Sequence, residues 1–308
     1  MSCGNTLGAT IRRLRKQRRL TQEQLAEGIC SPVSVSRIES GRQRPSKALL
    51  DALMDRLGMS SYQLFDVNEG SEELRAFDKG ANAAWSAIDA CNVELGKRLI
   101  DELAQRAQGE NSVLVRQRIL ELKASSIVRP GCSKADAEKA SRLLEEAISL
   151  TKPTLDVDDL AGGLLSVSEA RIISHLCVAR HYAGLDLDAI GLGHGLIRAI
   201  GRQGTPSREM IVVKIGALTN LAIVEEGCGH LEEAARHFGQ ARSECLEASE
   251  FNLMPFVLAG LARARWRAGE TREAAAALRT VADYLDLCDR HDYAKAIRSW
   301  LGQRGGQP

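Results

Sequence analysis

Between Thr21 and Arg44 the chain sets Gln22, Ser34, Ser36, Arg37, Arg42, Gln43 and Arg44 among small and apolar residues. Amide, hydroxyl and guanidinium groups of this kind suit a polyanion, whose phosphates take positive charge and whose base edges take directed hydrogen bonds. Arg37 is the sharpest of them, because one guanidinium spans O6 and N7 of a guanine; a phosphate is an equally good partner for it. Pro32 and Val33 offer apolar contact only, as to a thymine methyl. Arg42, Gln43 and Arg44 suit phosphates or a merely solvated loop. Catalytic chemistry has no comparable support. The six histidines are dispersed, no phosphate-binding glycine loop or nucleophile elbow is present, and the eight cysteines stand without a Cys-x-x-Cys pair or a histidine at ligand spacing. No enzyme activity, cofactor or metal is therefore expected.

Presenting those groups takes a particular arrangement of helices. Leu7, Ile11 and Leu14 recur at helical spacing and leave Arg12, Arg13, Lys16 and Arg19 on the other faces. Thr21 caps a second helix that turns Leu25 and Ala26 inward and carries Gln22 at its N-terminus, where an amide and free backbone N–H groups meet a phosphate. After the turn from Gly28 to Ser31, Ser31 caps a third helix with Pro32 in its first turn and Val35 and Ile38 facing inward, and Gly41 stops it. A fourth helix is expected from Ser46 through Leu57, ended by Gly58, and a short fifth from Ser60 through Leu64. Two such helices joined by a tight turn place the second of them in a DNA major groove. Charge agrees: residues 1–65 hold eleven basic against five acidic residues, a net of +6, which leaves −5 for the rest of a chain whose total is +1.

The pattern Thr21, Gln22, Leu25, Ala26, then Ser36, Ile38, Glu39, Gly41, then Pro45, Ser46 resembles the XRE-type helix-turn-helix family over nearly the whole of this segment. Within that family the run from Ile29 to Gly41 is most similar to the PlcR-like regulators of the RRNPP peptide-responsive superfamily. The resemblance implies a pairing of Arg15 with Glu39 inside the domain. It also implies a transcription regulator that binds double-stranded DNA and answers to a short signalling peptide.

The remainder is rich in alanine, leucine, arginine and glutamate and has only 4% aromatic residues overall, which favours helix over sheet. Asn220-Leu221-Ala222, Gly229, Ala234, Phe238 and Ala241 recur as Gly260-Leu261-Ala262, Gly269, Ala274, Leu278 and Val281. Small residues there let two helices approach while large ones fill the space between them, as in the tetratricopeptide repeat, which these units resemble. Units around Ala140, Leu144 and Ala147, and around Ala179 and Tyr182, fit more loosely. The expected architecture is all-α: a five-helix helix-turn-helix domain over 1–65, a linker over 66–71, and a right-handed tetratricopeptide-like α-solenoid over 72–308 for peptide sensing and dimerisation. About five repeats are expected from Glu72 onward, with a cap running from Asp283 or Tyr293 to Leu301.

Stacked helix pairs curve, and the first helix of each pair lines the concave side. Treating Ala179, Ala222 and Ala262 as equivalent puts Arg180, Ile223 and Arg263 into the groove, with Thr219, Asn220, Trp266 and Arg267 on or near the same face. Amides and guanidinium groups there hold the backbone and carboxylates of an extended peptide, and Trp266 and Phe256 take its side chains; equally, each arginine solvates the groove or pairs with an acid on the next helix. The same repeats would also suit a protein partner with no small ligand. No apolar run spans a membrane and no export signal opens the chain, so a cytoplasmic homodimer is expected, its two recognition helices about one DNA turn apart. The Gly191 to Gly195 run is read as close helix packing.

Overall fold

The computed structural model describes residues 7–57, 72–90, 92–107, 113–153, 155–157, 160, 165–202 and 206–304. All regular elements among them are helices: α1 (Leu7–Gln17), α2 (Gln22–Ala26), α3 (Pro32–Glu39), α4 (Lys47–Arg56), α5 (Glu72–Asp89), α6 (Val93–Arg106), α7 (Val113–Ile127), α8 (Lys134–Ser149), α9 (Val167–Tyr182), α10 (Asp186–Arg202), α11 (Arg208–Cys228), α12 (Leu231–Ala248), α13 (Met254–Arg267), α14 (Thr271–Leu287) and α15 (His291–Gly302). The helix expected over Ser60 to Leu64 and the linker over 66–71 lie outside the described residues.

In the head, local chemistry sets each boundary. Thr21 and Gln24 form a reciprocal cap: the Gln24 N–H donates to Thr21 Oγ1 at 3.1 Å and the Thr21 N–H to Gln24 Oε1 at 2.8 Å. Ser31 Oγ accepts from the Ser34 N–H at 3.1 Å, with Pro32 opening α3. Gly28, at φ +70°, makes the turn between the two helices. Ile11, Leu25, Val35, Ile38, Leu53, Met54 and Leu57 form the buried core. Helix α1 crosses α3 at backbone range: a Cβ on Gly8 would lie 2.2 Å from the carbonyl oxygen of Ile38.

Among the described residues the body forms five antiparallel helix pairs, α5/α6 to α13/α14, each packed on the next, with α15 laid against α14. In the last three pairs a left-handed glycine ends the first helix, Gly184, Gly229 and Gly269 at φ +84°, +86° and +102°, and the second helix begins two residues on. The cap is α15 alone; Asp283 lies within α14. Ala234, Phe238 and Ala241 of α12 and Ala274, Leu278 and Val281 of α14 are all buried, as the repeat requires. The Gly191–Gly195 run sits inside α10, and within it Gly193 serves close packing, since a Cβ there would meet Leu221 at 2.8 Å, whereas one on Gly191 would meet nothing within 4 Å. At the far ends of the array, Arg290 at the start of α15 donates to Asp89 at the end of α5 (3.0 Å), which brings the first and last elements into contact.

Phe238 illustrates what the small positions are for. Its ring is fully buried and lies where a Cβ on Gly260 would be, 2.3 Å from Cε1. Gly260→Ala is expected to destabilise the chain by about 1–3 kcal/mol through overpacking. Phe238→Leu, costly alone, should recover much of that loss in the double variant, and denaturant unfolding of the four proteins reads the coupling. Additive losses would mean that the ring is not the obstacle.

Candidate nucleic-acid interface and ligand groove

The head is organised around one buried carboxylate. Glu39, at the end of α3, receives Arg15 of α1 in a two-pronged contact, Nε to Oε1 at 2.6 Å and Nη2 to Oε2 at 2.9 Å, while Arg15 Nη1 donates to the carbonyl of Leu20 at 2.8 Å. Gln22 Nε2 donates to the same Glu39 Oε2 at 2.9 Å. Burial pushes the Glu39 carboxyl up, but the Arg15 and Gln22 hydrogen bonds and the charges of Arg15 and Arg12 outweigh it, so its pKa lies below the ordinary value. The Gln22 amide expected at a phosphate is thus turned onto Glu39.

With Glu39 satisfied, the other face of α3 is left open. Pro32, Val33, Ser36 and Arg37 are exposed, and Val33 is 58% accessible despite its apolar side chain. Ser34 is half-buried and its hydroxyl shares a 2.9 Å hydrogen bond with Ser31 Oγ. The Arg37 side chain pairs with no acid among the described residues, and Arg42 and Arg44 are exposed beside it with Gln43 half-buried.

In the body, the predicted groove residues divide. Asn220 of α11 donates through Nδ2 to Ser174 Oγ of α9 at 3.0 Å, bridging two successive first helices. Arg263 of α13 reaches back to Glu226 of α11 at 3.0 Å, and Arg267 donates to the Glu226 carbonyl, so both guanidinium groups converge on one residue. Ile223 packs against the Ala222, Phe238 and Ala264 cluster, and Thr219 Oγ1 is returned to its own helix at the Ile215 carbonyl, 2.8 Å away. Phe256 stacks on Tyr293 at 4.9 Å under the Arg290 guanidinium, and Trp266 meets Trp300 edge-on at 5.7 Å, so both aromatics lie against α15.

Arg180 does not join them, and its placement is a correction. Aligning the three turn glycines makes Cys177, not Ala179, the counterpart of Ala222 and Ala262, a slip of two residues along α9. Arg180 then corresponds to Glu225, and it is buried, with Nη2 3.5 Å from Glu145 on α8, a second helix.

A polar centre between α7 and α9 was not anticipated. Glu121 of α7 is wholly buried and accepts from Arg118 (Nη1 to Oε2, 2.6 Å) and from Arg171 of α9 (Nε to Oε1, 2.6 Å; Nη2 to Oε2, 3.1 Å), with His175 Nδ1 at 3.3 Å from Oε1. Trp85 of α5 stacks on His175 at 4.9 Å with the Arg118 guanidinium over its ring. Burial pushes Glu121 up, yet the Arg171 and Arg118 charges and the His175 and Arg171 hydrogen bonds hold it well below the ordinary carboxylate range. Arg118-x-x-Glu121 and Arg171-x-x-x-His175 were visible as same-face pairs. Nothing in their spacing said that the two pairs meet.

A helix-turn-helix domain family matches residues 6–63. The head is a helix-turn-helix domain. No curated protein matches the chain. Among solved structures, PlcR of Bacillus thuringiensis in complex with the peptide PapR7 and DNA is 17% identical, covers 96% of this chain and 99% of its own, and superposes with a TM-score of 0.58. ComR from S. thermophilus in complex with DNA and its signalling peptide ComS is 14% identical over 97% and 100%, with a TM-score of 0.54. The apo competence regulator ComR of Streptococcus vestibularis is 14% identical over 98% of each chain, at 0.53. The chain has the fold of PlcR and ComR, a helix-turn-helix domain followed by a tetratricopeptide-like solenoid. No helix among the described residues is long and apolar enough to cross a membrane.

In the helix-turn-helix domain the Arg15–Glu39 pair carries a stability expectation. Arg15→Ala leaves a buried carboxylate unpaired and should cost about 3–5 kcal/mol at neutral pH. The Glu39 pKa is lowered in the fold, so its stabilisation is complete above the ordinary carboxylate value of about 4.3 and is lost as pH falls through the lower folded value. Denaturant unfolding of wild type and Arg15→Ala should therefore converge on acidification below that range. A gap that is unchanged in acid would remove the ion pair as its cause.

Proposed function

We propose that the protein is a DNA-binding transcription regulator, controlled by a short signalling peptide held along the first helices of its repeat body, and that it works as a cytoplasmic homodimer. The observation that carries the DNA reading is the open face of α3: Pro32, Val33, Ser36 and Arg37, which pairs with no acid among the described residues, stand exposed while the one carboxylate of that helix is sequestered by Arg15 and Gln22. A helix presented this way by a helix-turn-helix reads base edges, and the exposed Arg42 and Arg44 with Gln43 between them follow it and suit phosphates. The net +6 of residues 1–65 supplies the sequence-independent attraction.

The peptide reading rests on the groove. Arg263 and Arg267 share Glu226, and with five N–H donors per guanidinium they keep donors for a ligand carboxylate. Asn220 uses its N–H on Ser174, and among the described residues its Oδ1 accepts no hydrogen bond, which suits a backbone N–H of an extended chain. PlcR and ComR, of the same fold, were solved with DNA and with peptides. Two-fold pairing of such regulators would set two α3 helices about one DNA turn apart.

Selection of a site from random duplexes, followed by gel-shift titration, tests the first half. Arg37→Ala is expected to lose about 1–3 kcal/mol of discrimination at one base pair. Uniform loss on every sequence would reassign Arg37 to phosphate, and absence of salt-dependent duplex binding by the wild type would dismiss the DNA reading. For the second half, binders selected from a library of short synthetic peptides should lose about 1–3 kcal/mol in calorimetry with Asn220→Ala, at unchanged helicity. A library that yields no binder able to alter DNA affinity would dismiss peptide control.

A further inference from the structure

At the junction of α9, α10 and α11 three side chains of different donor chemistry meet. His181 lies in the last turn of α9, Asp186 is the first residue of α10, and Cys228 is the last of α11. His181 Nδ1 is 2.6 Å from Asp186 Oδ1 and 3.9 Å from Cys228 Sγ. Among the described residues this is the one group of three histidine, cysteine or carboxylate donors whose ligand atoms all lie within 4.8 Å of one another, and all three residues are half-buried.

The backbone fixes the cluster. Gly184 and Gly229 end α9 and α11 in the left-handed conformation, with the Gly184 N–H returned to the His181 carbonyl at 2.9 Å and the Gly229 N–H to the Glu226 carbonyl at 3.2 Å. The imidazole is seated against α11: a Cβ on Gly227 would lie 2.4 Å from His181 Nε2, so the ring's other nitrogen, Nδ1, is the one that faces Asp186 and Cys228. A hydrogen bond between His181 and Asp186 accounts for two of these groups. The Cys228 thiol hydrogen-bonds to Asp186 as well, so groups from three helices, Cys228 standing 47 residues from His181 in sequence, converge on one carboxylate.

We propose that His181, Asp186 and Cys228 bind a divalent transition cation of the zinc(II) class, with a water or other small ligand in the fourth position. One imidazole nitrogen, one carboxylate oxygen and one thiolate are the donors such an ion prefers, and three protein ligands with one open position is a recurrent zinc geometry. A tetrahedral ion at bond lengths of about 2.0–2.3 Å needs donor separations of roughly 3.3–3.6 Å. The His181–Cys228 distance is within a few tenths of an ångström of that, and the His181–Asp186 distance opens by rotation of a carboxylate whose side chain is 49% exposed. On binding, the Cys228 thiol gives its proton to solvent, and the two negative ligands neutralise the ion. Burial and the Asp186 charge raise the pKa of the free thiol, which sets Cys228 apart from an activated nucleophile. The site owes nothing to DNA or peptide binding. It clips together the ends of three helices, so the metal should also stabilise the repeat body.

The test uses the full chain, stripped with a chelator and titrated with cobalt(II). Wild type should bind one equivalent and develop a thiolate-to-cobalt charge-transfer band with the intense ligand-field bands of four-coordination. Cys228→Ser should abolish the charge-transfer band, and Asp186→Asn, at a half-exposed position that folding tolerates, should weaken binding by about tenfold or more. Cys288→Ser, at an exposed cysteine outside the cluster, should leave the spectrum unchanged. Zinc(II) should displace the cobalt and raise the melting temperature of wild type but not of Asp186→Asn. A wild type without a charge-transfer band overturns the proposal. So does a band that survives Cys228→Ser or one that Cys288→Ser removes.

Discussion

A carboxylate taken out of water has to be met by positive charge and hydrogen bonds, and in this chain that requirement decides where a set of the arginines and histidines goes. Glu39 claims Arg15, Glu121 claims Arg118 and Arg171, and Glu226 claims Arg263 and Arg267. Glu225, also buried, takes His237 at 2.7 Å and has His194 at 3.7 Å. Each of these bridges two helices, apart from Arg118, which reaches Glu121 along its own. In a core assembled largely from alanine, isoleucine and leucine, such pairs supply the direction that apolar contacts lack: they fix which side of a helix faces its neighbour.

The consequence for the head is a separation of charges by depth. Arg15 and Glu39 are spent inside, and the arginines that remain on α3 and the segment after it, Arg37, Arg42 and Arg44, face solvent. The helix ends do the same work at the level of the backbone. Caps at Thr21 and Ser31 and the turn at Gly28 hold α2 and α3 in a fixed relation, so the exposed face of α3 is presented by a rigid pair.

Much of this was legible in the sequence, because the signals were local. Thr21, Gly28, Ser31, Pro32 and Gly41 each act on residues within a turn of themselves, and the motif they make specified α2, α3 and their exposed positions. The repeats were legible where large residues stand at fixed intervals, as Phe238 and Leu278 do. The reading slipped at Arg180 because alanine-rich helices offer several small positions in each turn: Ala179 is buried as fully as Ala222, and size alone does not say which one lies under the neighbouring helix. The turn glycines do say so, since a left-handed residue has one place in the pair. Glu121 was invisible for another reason. Its partners lie on its own helix and fifty residues away, and spacing carries no information about which acid a distant arginine will meet.

The body's polar contacts follow the curvature of the array. Asn220 to Ser174, Arg171 to Glu121 and Arg263 to Glu226 each join the first helix of one pair to the first helix of the pair before it. Second helices are tied to first helices by polar contacts as well, Glu145 to Arg180, Glu244 to Lys214 and His237 to Glu225 among them. The ladder of short, directed contacts between first helices holds that side of the array at a set spacing. The Asp89–Arg290 pair lies at the end of this ladder and depends on all of its steps, because residues 201 apart in sequence meet only if every intervening pair has turned by the right amount.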